Sequence, residues 1–351
     1  MNSRTVRSEQ LIAGMVVAQP VLSNSGQVLL EAGTMLTGER IRHLRSWRIA
    51  QVDIVDSKQN YLEKPVLSEV YEETLDIISQ TFEKVKLFQE VPVDECKDMV
   101  ENYIEIMLNI PGLIDSLHRV KGHSEHTYRH SLNVSLVAGL LGKWLGYKEQ
   151  ALRDLMLAGL LHDIGKTLLD QELLAKTELS AEEEAAVRMH ALQGYQLLAS
   201  ADDVAPEVKM AVLQHHERAD GSGYPMGLQA ENISEYAKII AIADLYDAVT
   251  GERSGRRKLP PFTAVETILD DMYGKLDPKL CLTFVSNLGQ QLSGSLVELS
   301  DGRKARAFLV NDVFVARPVV KIIDGETIDL EKRRDLSIVA LLDEDTAAVG
   351  A

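Results

Sequence analysis

Histidines are unevenly distributed along this chain. Of the nine histidines, eight fall between His118 and His216, and only His43 lies outside that range. Several stand beside apolar residues that a helix would turn towards a core, where an unpaired imidazole is costly. A backbone carbonyl could satisfy each ring separately, or the rings could share one partner.

Two aspartates favour the shared partner. Asp163 follows His162 after the apolar run LMLAGLL, and Asp244 follows the apolar run IIAIA. A buried carboxylate nearly always needs a cation or a metal. Imidazoles and carboxylates without thiolates suit divalent iron, manganese, zinc or nickel. The candidates exceed the needs of one ion, so the pattern favours two ions that activate a bridging water towards a phosphorus or acyl centre.

The stretch QHHERADGSGYP, residues 214–225, places two of these histidines side by side. On one helix, His215 and His216 would point about 100° apart. At a helix end they could instead present their rings to two neighbouring ions. The Asp-Gly and Gly-Tyr-Pro steps that follow allow a sharp turn and a loop over the site.

Apolar periodicity predicts a mainly α protein that contains an all-helical domain. Short alternating runs separated by turn signals predict a small α+β module at residues 1–62. Helical spacing predicts connecting helices at 63–110 and the all-helical domain at 111–289. Alternating runs around Asp301-Gly302 predict a hairpin, within a short β-rich extension at 290–351. A capping box at Ser180 and first-turn prolines at Pro206 and at Pro260 or Pro261 mark helix starts.

Composition excludes several classes of function. A formal charge of -16 disfavours duplex nucleic acid as a partner, although the basic stretch GERSGRRKLP leaves room for a local phosphate site. Cys96 and Cys281 lie in unrelated segments, which disfavours a disulfide framework or a thiolate metal site. The absence of a long apolar run predicts a cytoplasmic protein without membrane insertion.

Five motifs occur here in the order typical of one family: TYRHS, HDIGK, MHALQGYQLL, HHERADGSGYP and AIADLYDAVTGER. From Thr127 to about Asn287 the chain resembles the HD-GYP phosphodiesterases, which belong to the HD superfamily of metal-dependent phosphohydrolases and hydrolyse the bacterial second messenger cyclic di-GMP. The resemblance implies hydrolysis to pGpG, with GMP as an alternative end product, by attack of a metal-bridging hydroxide.

The resemblance also implies a role for individual residues. The implied ligands of two divalent ions, Fe or Mn, are His130, His162, Asp163, His190, His215, His216 and Asp244. Asp163 is the implied bridge and acts in catalysis together with Lys166. Lys166, Arg253 and Arg256 are the implied substrate contacts, although a helix-terminal cation and a solvated basic loop are the alternatives.

Four positions stay open at this level. Tyr224 could stack on a guanine or pack locally. Asp247, one turn after Asp244, could orient a ligand histidine or form the polar face of its helix. His126 stands where some family members have a glutamate that allows a third metal. The usual RPY triplet reads RSG from Arg253 onward.

Two other functions compete with catalysis on cyclic di-GMP. The altered RSG triplet is compatible with a signalling module that binds the dinucleotide with little turnover. Two-metal chemistry does not choose a base, so an HD-type phosphohydrolase for another nucleotide is a further alternative. A homodimer or a signalling-protein partner is an expectation for the N-terminal module, whose predicted role is regulatory.

Overall fold

The computed structural model describes residues 3–8, 11, 15–23, 26–34, 36, 38–55, 64–110, 112–119, 126–176, 178–251, 258–308, 315–323 and 325–342. The first of these residues form the N-terminal module, residues 3–55. Strand β1 (Ser3–Arg7) pairs with β4 (Gln51–Val55), β2 (Val21–Leu22) pairs with β3 (Val28–Leu30), and helix α1 spans Gly38–Ser46. The buried side chains of this module, among them Val6, Val17, Leu44 and Ile54, form a hydrophobic core of their own.

A long helix follows the N-terminal module. Helix α2 (Lys64–Phe88) buries one apolar stripe, which consists of Leu67, Val70, Tyr71, Leu75, Ile78, Phe82 and Val85. Spacing of three or four residues keeps this stripe on one face. The stripe packs against α3 (Val93–Met99), α4 (Glu105–Met107), the π-helical turn Val100–Ile104 and α6 (His126–Trp144), and α5 spans Leu113–Arg119.

The central helices are α6, α7 (Glu149–Leu161), α10 (His190–Ala199), α11 (Pro206–Gln214) and α12 (Glu235–Thr250). Around them lie α8 (Gln171–Leu174), α9 (Ala181–Arg188), α13 (Pro261–Asp271) and α14 (Pro278–Leu292), with 3-10 turns at Ile164–Leu168 and Ala230–Asn232. Two glycines permit close backbone contact. A Cβ at Gly159 would lie 2.7 Å from Cα of Ser135, and one at Gly165 would lie 2.0 Å from the carbonyl oxygen of His190. These contacts seat α7 on α6 and the turn after α7 on α10.

The predicted helix starts are confirmed. Ser180 and Glu183 form a reciprocal capping box before α9. Pro206 and Pro261 occupy the first turns of α11 and α13, where a missing N–H costs no helix hydrogen bond.

The last described segments form an antiparallel sheet. Strands β5 (Leu296–Leu299), β6 (Lys304–Phe308), β7 (Val319–Ile322), β8 (Thr327–Asp329) and β9 (Ile338–Leu341) lie in the order β8-β7-β6-β5-β9. The predicted hairpin is confirmed, because β5 pairs with β6 and Gly302 has a φ of +84°. Buried residues of this sheet share one hydrophobic core with α2 and the central helices.

The architecture confirms a mainly α protein with a small α+β module and a short β-rich extension. The buried residues of the N-terminal core end at Ile54, and those of the larger core begin at Leu67. The predicted domain boundaries stay predictions. Among the described helices, none combines the length and the apolar composition that crossing a membrane requires.

Candidate metal centre

Side chains from five helical segments converge in what we call the metal centre. One group comprises Asp163, His190, His215 and His216, the other comprises His130, His162 and Asp163, and the ligand atoms of each group lie within 4.8 Å of one another. Asp244 adjoins the second group, with its Oδ1 3.2 Å from Nε2 of His130. All seven predicted ligands therefore lie together, and Asp163 belongs to both groups.

Three of the histidines stand at helix ends, and each ring forms the same hydrogen bond with the helix backbone. His162 follows α7, His215 follows α11, and His190 comes one residue after the cap of α9. In each, Nδ1 contacts the carbonyl oxygen three residues earlier: His162 to Gly159 at 2.8 Å, His190 to Val187 at 2.7 Å, and His215 to Val212 at 2.8 Å. The last carbonyls of a helix lack partners within the helix.

This hydrogen bond to a carbonyl oxygen fixes the tautomer of each ring. A carbonyl oxygen can only accept, so Nδ1 must carry the proton and donate it. In the neutral ring, Nε2 then presents a lone pair, which is the form that binds a metal. The helix ends thus aim three lone pairs into the metal centre.

His130 lies inside α6 and is oriented differently. Its Nδ1 donates to Oδ2 of Asp247 on α12 at 2.7 Å. The other carboxylate oxygen of Asp247 accepts from Nδ2 of Asn133 at 2.7 Å, and Oδ1 of Asn133 accepts from the hydroxyl of Tyr71 at 2.7 Å. Four buried or half-buried polar groups on three helices therefore form one hydrogen-bonded chain that ends at His130.

The carboxylate of Asp163 fits a cation. Its Oδ1 is buried and accepts no hydrogen bond among the described residues, yet it lies 3.1 Å from Nε2 of His190 and 3.8 Å from Nε2 of His215. Both nitrogens carry lone pairs in the neutral rings, so electron-rich atoms face one another. A divalent cation would turn this repulsion into coordination, and the nitrogen and oxygen donors suit such an ion. The residues present could therefore hold metal ions.

Burial and neighbouring charges displace several pKa values in the metal centre. Burial alone would lower the pKa of His130, but Asp244 and Asp247 outweigh it and raise that pKa to about 10. Burial lowers the pKa of His216 to about 3, and burial together with the neighbouring rings lowers that of His215 well below its usual value. Near neutral pH, His215 and His216 are ready to bind a metal, whereas His130 must first lose a proton.

Asp163 remains ionised for a different reason. Burial would raise its pKa, but the ammonium of Lys166, 2.6 Å from its Oδ2, helps to hold that pKa well below the usual range. The Lys166 side chain is 26% exposed, so it reaches from the buried carboxylate towards solvent. This places a cation at the border of the metal centre.

A compact loop covers one side of the metal centre. The ring of Tyr224 stacks on His216 at 4.6 Å, and the guanidinium of Arg188 lies 5.0 Å from the centre of the Tyr224 ring. Glu217 is 2% exposed and accepts the backbone N–H groups of Met226 at 2.7 Å and Leu228 at 2.8 Å. Glu217 thus anchors the loop of residues 217–228, which holds Tyr224 against the ring of His216, a predicted ligand.

Residues 113–280 match the family model of the HD domain. We call this part of the chain the HD domain after the model that it matches. It contains every residue of both ligand groups and Asp244. The predicted resemblance to the HD-GYP phosphodiesterases is confirmed by relatives with that activity in their names and by a solved HD-GYP structure.

Two curated relatives show how far the likeness extends. A cyclic di-GMP phosphodiesterase of Pseudomonas aeruginosa is 35% identical over 225 residues, which cover 63% of this chain and 54% of that protein. The 3′3′-cGAMP-specific phosphodiesterase 3 of Vibrio cholerae is 32% identical over 178 residues, which cover 50% of this chain and 37% of that protein. The chain thus spans about half or less of the length of these relatives.

A solved structure shares the fold. The HDG"Y"P protein of Bdellovibrio bacteriovorus superposes with a TM-score of 0.55 at 18% identity, covering 82% of this chain and 99% of that one. Residues 113–280 make up less than half of the chain, whereas the superposition covers 82% of it. The similarity of fold therefore extends beyond the HD domain.

Three predicted residues of the HD domain cannot be placed in the metal centre. Arg253 and Arg256 lie outside the described residues, and so does the side chain of His126, although His126 begins α6. Their implied roles stay predictions.

The structure also brings in residues that the sequence analysis did not single out. Asn133 stands three residues after His130 on α6, and this spacing on one helix face could have indicated it. Glu217 and Arg188 flank predicted ligands. Tyr71 had no such signal, because its position depends on how α2 packs against the HD domain.

Proposed function

We propose that this protein is a metal-dependent phosphodiesterase that hydrolyses cyclic di-GMP to pGpG. One observation carries the proposal: the buried carboxylate of Asp163 is shared by two groups of ligands whose imidazole lone pairs face it. A carboxylate between two sets of nitrogen donors is suited to bridge two ions. The named activities of the relatives support a cyclic dinucleotide as substrate.

The residues of the metal centre would divide between two divalent ions, for which we propose iron or manganese. Asp163, His190, His215 and His216 would hold one, and His130, His162, Asp163 and Asp244 the other. Bound there, the ions supply Lewis acidity that lowers the pKa of water and polarises a phosphoryl oxygen. A third ion at His126 is not part of this proposal.

The chain itself contributes charge and position. Lys166 places its ammonium at the border of the metal centre, where it would stabilise negative charge that develops on a phosphoryl oxygen. Its ion pair with Asp163 also fixes the orientation of the carboxylate. Asp247 keeps the proton of His130 on Nδ1, so that Nε2 can act as a ligand.

Substrate contacts would lie on the side of the loop of residues 217–228. Tyr224 and Arg188 present an aromatic ring and a guanidinium beside the metal centre. Both can stack on a nucleobase, and a guanidinium can also pair with phosphate. We include Arg253 and Arg256 as further phosphate contacts on the strength of the resemblance. A second messenger as substrate would place the reaction in the cytoplasm, and we propose that the N-terminal module regulates it.

The test is turnover by protein purified under anaerobic conditions and loaded with Mn²⁺ or Fe²⁺. We expect cyclic di-GMP to give pGpG, identified by chromatography and mass spectrometry, and slow further conversion to GMP would define the end product. The double variant His162→Ala/Asp163→Ala should lose turnover while its far-UV circular dichroism stays near that of the wild type.

Parallel assays separate the alternatives. A panel that includes 3′3′-cGAMP and linear dinucleotides ranks substrates. Faster hydrolysis of another substrate would replace cyclic di-GMP in the proposal. Binding of cyclic di-GMP in calorimetry without product after long incubation would instead indicate a signalling module.

A further inference from the structure

A chain of hydrogen bonds connects a side chain from outside the HD domain to the metal centre. Tyr71 lies on α2, before the first residue that matches the HD domain, and is 1% exposed. Its hydroxyl donates to Oδ1 of Asn133 at 2.7 Å. A buried tyrosine hydroxyl normally needs such a partner.

The hydrogen bonds that begin at Tyr71 have a fixed direction. Because Oδ1 of Asn133 faces a hydroxyl donor, Nδ2 of the same amide faces Asp247 and donates to its Oδ1 at 2.7 Å. Both carboxylate oxygens of Asp247 are then engaged, since Oδ2 accepts from Nδ1 of His130 at 2.7 Å. Reversing the amide would place an oxygen against a carboxylate and an amino group against a hydroxyl.

We propose that Tyr71 is a positioning residue of the metal centre, which holds the Asn133 amide so that Asp247 orients the His130 ring. The inference rests on the metal centre of the proposed function. Within the described part of the chain, the Tyr71 hydroxyl is hydrogen-bonded to Asn133 and to no predicted ligand, so it acts through Asn133 and Asp247. Burial, reinforced by the charge of Asp247, raises the pKa of Tyr71 well above its usual value, so the hydroxyl remains a donor.

This arrangement links α2 to the metal centre through hydrogen bonds. Two residues after Tyr71 on α2, Glu73 pairs with Arg40 of α1 at 3.2 Å. The same helix therefore contacts the N-terminal module and, through Tyr71, the ligand His130. A displacement of α2 would change the position of the hydroxyl relative to Asn133.

The test compares two Tyr→Phe variants that each remove one hydroxyl between α2 and α6. Tyr71→Phe removes the donor to Asn133. Tyr128→Phe is the matched control, because the hydroxyl of Tyr128 on α6 donates to Oε1 of Glu83 on α2 at 3.1 Å. Both variants keep the ring and most of its volume. Thermal unfolding shows the temperature range in which each variant is folded.

The first readout is the affinity for Mn²⁺, measured by competition with a fluorescent chelator in the absence of substrate. Removing a group that orients a metal ligand typically weakens binding by about 10- to 100-fold. Tyr71 acts one hydrogen bond further away, so we expect Tyr71→Phe to weaken Mn²⁺ binding about threefold to tenfold. Tyr128→Phe should bind Mn²⁺ like the wild type.

A double-variant cycle tests the route of the effect. In an Asp247→Asn background, Tyr71→Phe should cause no further loss of Mn²⁺ affinity, because both changes interrupt the same chain of hydrogen bonds. Three results would each overturn the proposal. Tyr71→Phe could bind Mn²⁺ with wild-type affinity, or both Tyr→Phe variants could lose the same affinity. The third is that Tyr71→Phe causes its full loss in the Asp247→Asn background as well.

The outcomes distinguish this proposal from the proposed function. The wild type could bind Mn²⁺, and Tyr71→Phe could show the expected loss, while cyclic di-GMP is not hydrolysed. That result would overturn the proposed activity and support the role of Tyr71. Hydrolysis by the wild type with unchanged Mn²⁺ affinity in Tyr71→Phe would overturn only the role of Tyr71. A wild type that binds no Mn²⁺ overturns both.

Discussion

Asp163→Asn is the most direct perturbation of the metal centre. Asparagine keeps the shape of the side chain, so the packing around this 1% exposed position changes little. It removes the negative charge and replaces one carboxylate oxygen with an amino group, which cannot bind a cation. The remaining oxygen can bind only one of the two ions, so the other ion keeps three of its four proposed ligands.

The expected loss follows from that count. The weaker group should release its ion, so the protein should retain at most one ion after dialysis against a mild chelator. An ion that polarises a phosphoryl oxygen contributes several kcal/mol to transition-state stabilisation. A loss of ~4 kcal/mol corresponds to a decrease of about 10³-fold in kcat. Elemental analysis gives the stoichiometry, and pGpG formation gives the rate.

Asp154→Asn provides the control on α7, the helix that precedes Asp163. Asp154 on α7 accepts a hydrogen bond from Gln150 at 2.8 Å on the surface, and its variant should keep the metal content and rate of the wild type. If Asp163→Asn retained two ions and wild-type kcat, the carboxylate could not be the bridge, and the assignment of two groups around it would be refuted.

Three further predictions concern the surroundings of Asp163. Gly165→Ala would force a Cβ to within 2.0 Å of the carbonyl oxygen of His190, so we expect thermal or urea unfolding to show ~1–3 kcal/mol less stability, together with weaker Mn²⁺ binding as His190 is displaced. Glu217→Gln should lose one of two charge-assisted hydrogen bonds, lower the unfolding free energy by about 1.5–3 kcal/mol, and raise KM while the metal content stays constant. The pKa of His130 is raised to about 10 in the metal-free protein, so its contribution to stability is fully present below about pH 6.5 and is lost as the pH rises through 10. Mn²⁺ must displace that proton, so its affinity should rise about tenfold per pH unit between about pH 7 and 9.

Each of these predictions has a result that would contradict it. Gly325→Ala is the control with a milder contact, because its new Cβ would lie 3.3 Å from a side-chain carbon of Ile322. An equal loss in both variants would exclude a special contact at Gly165. Unchanged urea unfolding of Glu217→Gln would show that the loop does not depend on that carboxylate. A flat pH dependence of Mn²⁺ affinity would mean that His130 is already neutral.

The sequence was most informative where chemistry and local periodicity coincide. Asp163 and Asp244 follow apolar runs, a placement that needs a cation, and in the structure both lie beside histidines that are predicted ligands. The capping box at Ser180 and the hairpin around Gly302 depend on a few consecutive residues, so their geometry could be predicted locally. The candidate ligands could therefore be named before any tertiary contact was known.

Tertiary packing explains what the sequence could not reveal. The orienting contact of Asp247 with His130 joins α12 to α6, and no spacing rule connects residues that far apart in the chain. Tyr71 is still less accessible, because an apolar stripe explains its burial on α2 without indicating where its hydroxyl points. The hydrogen bond of each ring nitrogen likewise depends on which backbone carbonyls lack a partner at the helix ends, and the sequence does not show those exact ends.

The bonds between ring and carbonyl at the helix ends bear on the order of assembly. Each closes within four consecutive residues, so it can form together with its helix, on a timescale of about 0.1–1 μs. His130 instead has to await the docking of α12. A newly synthesised chain would thus acquire imidazoles with a fixed tautomer before its topology is complete, and an engineer could transplant a helix with its terminal histidine as one preoriented ligand.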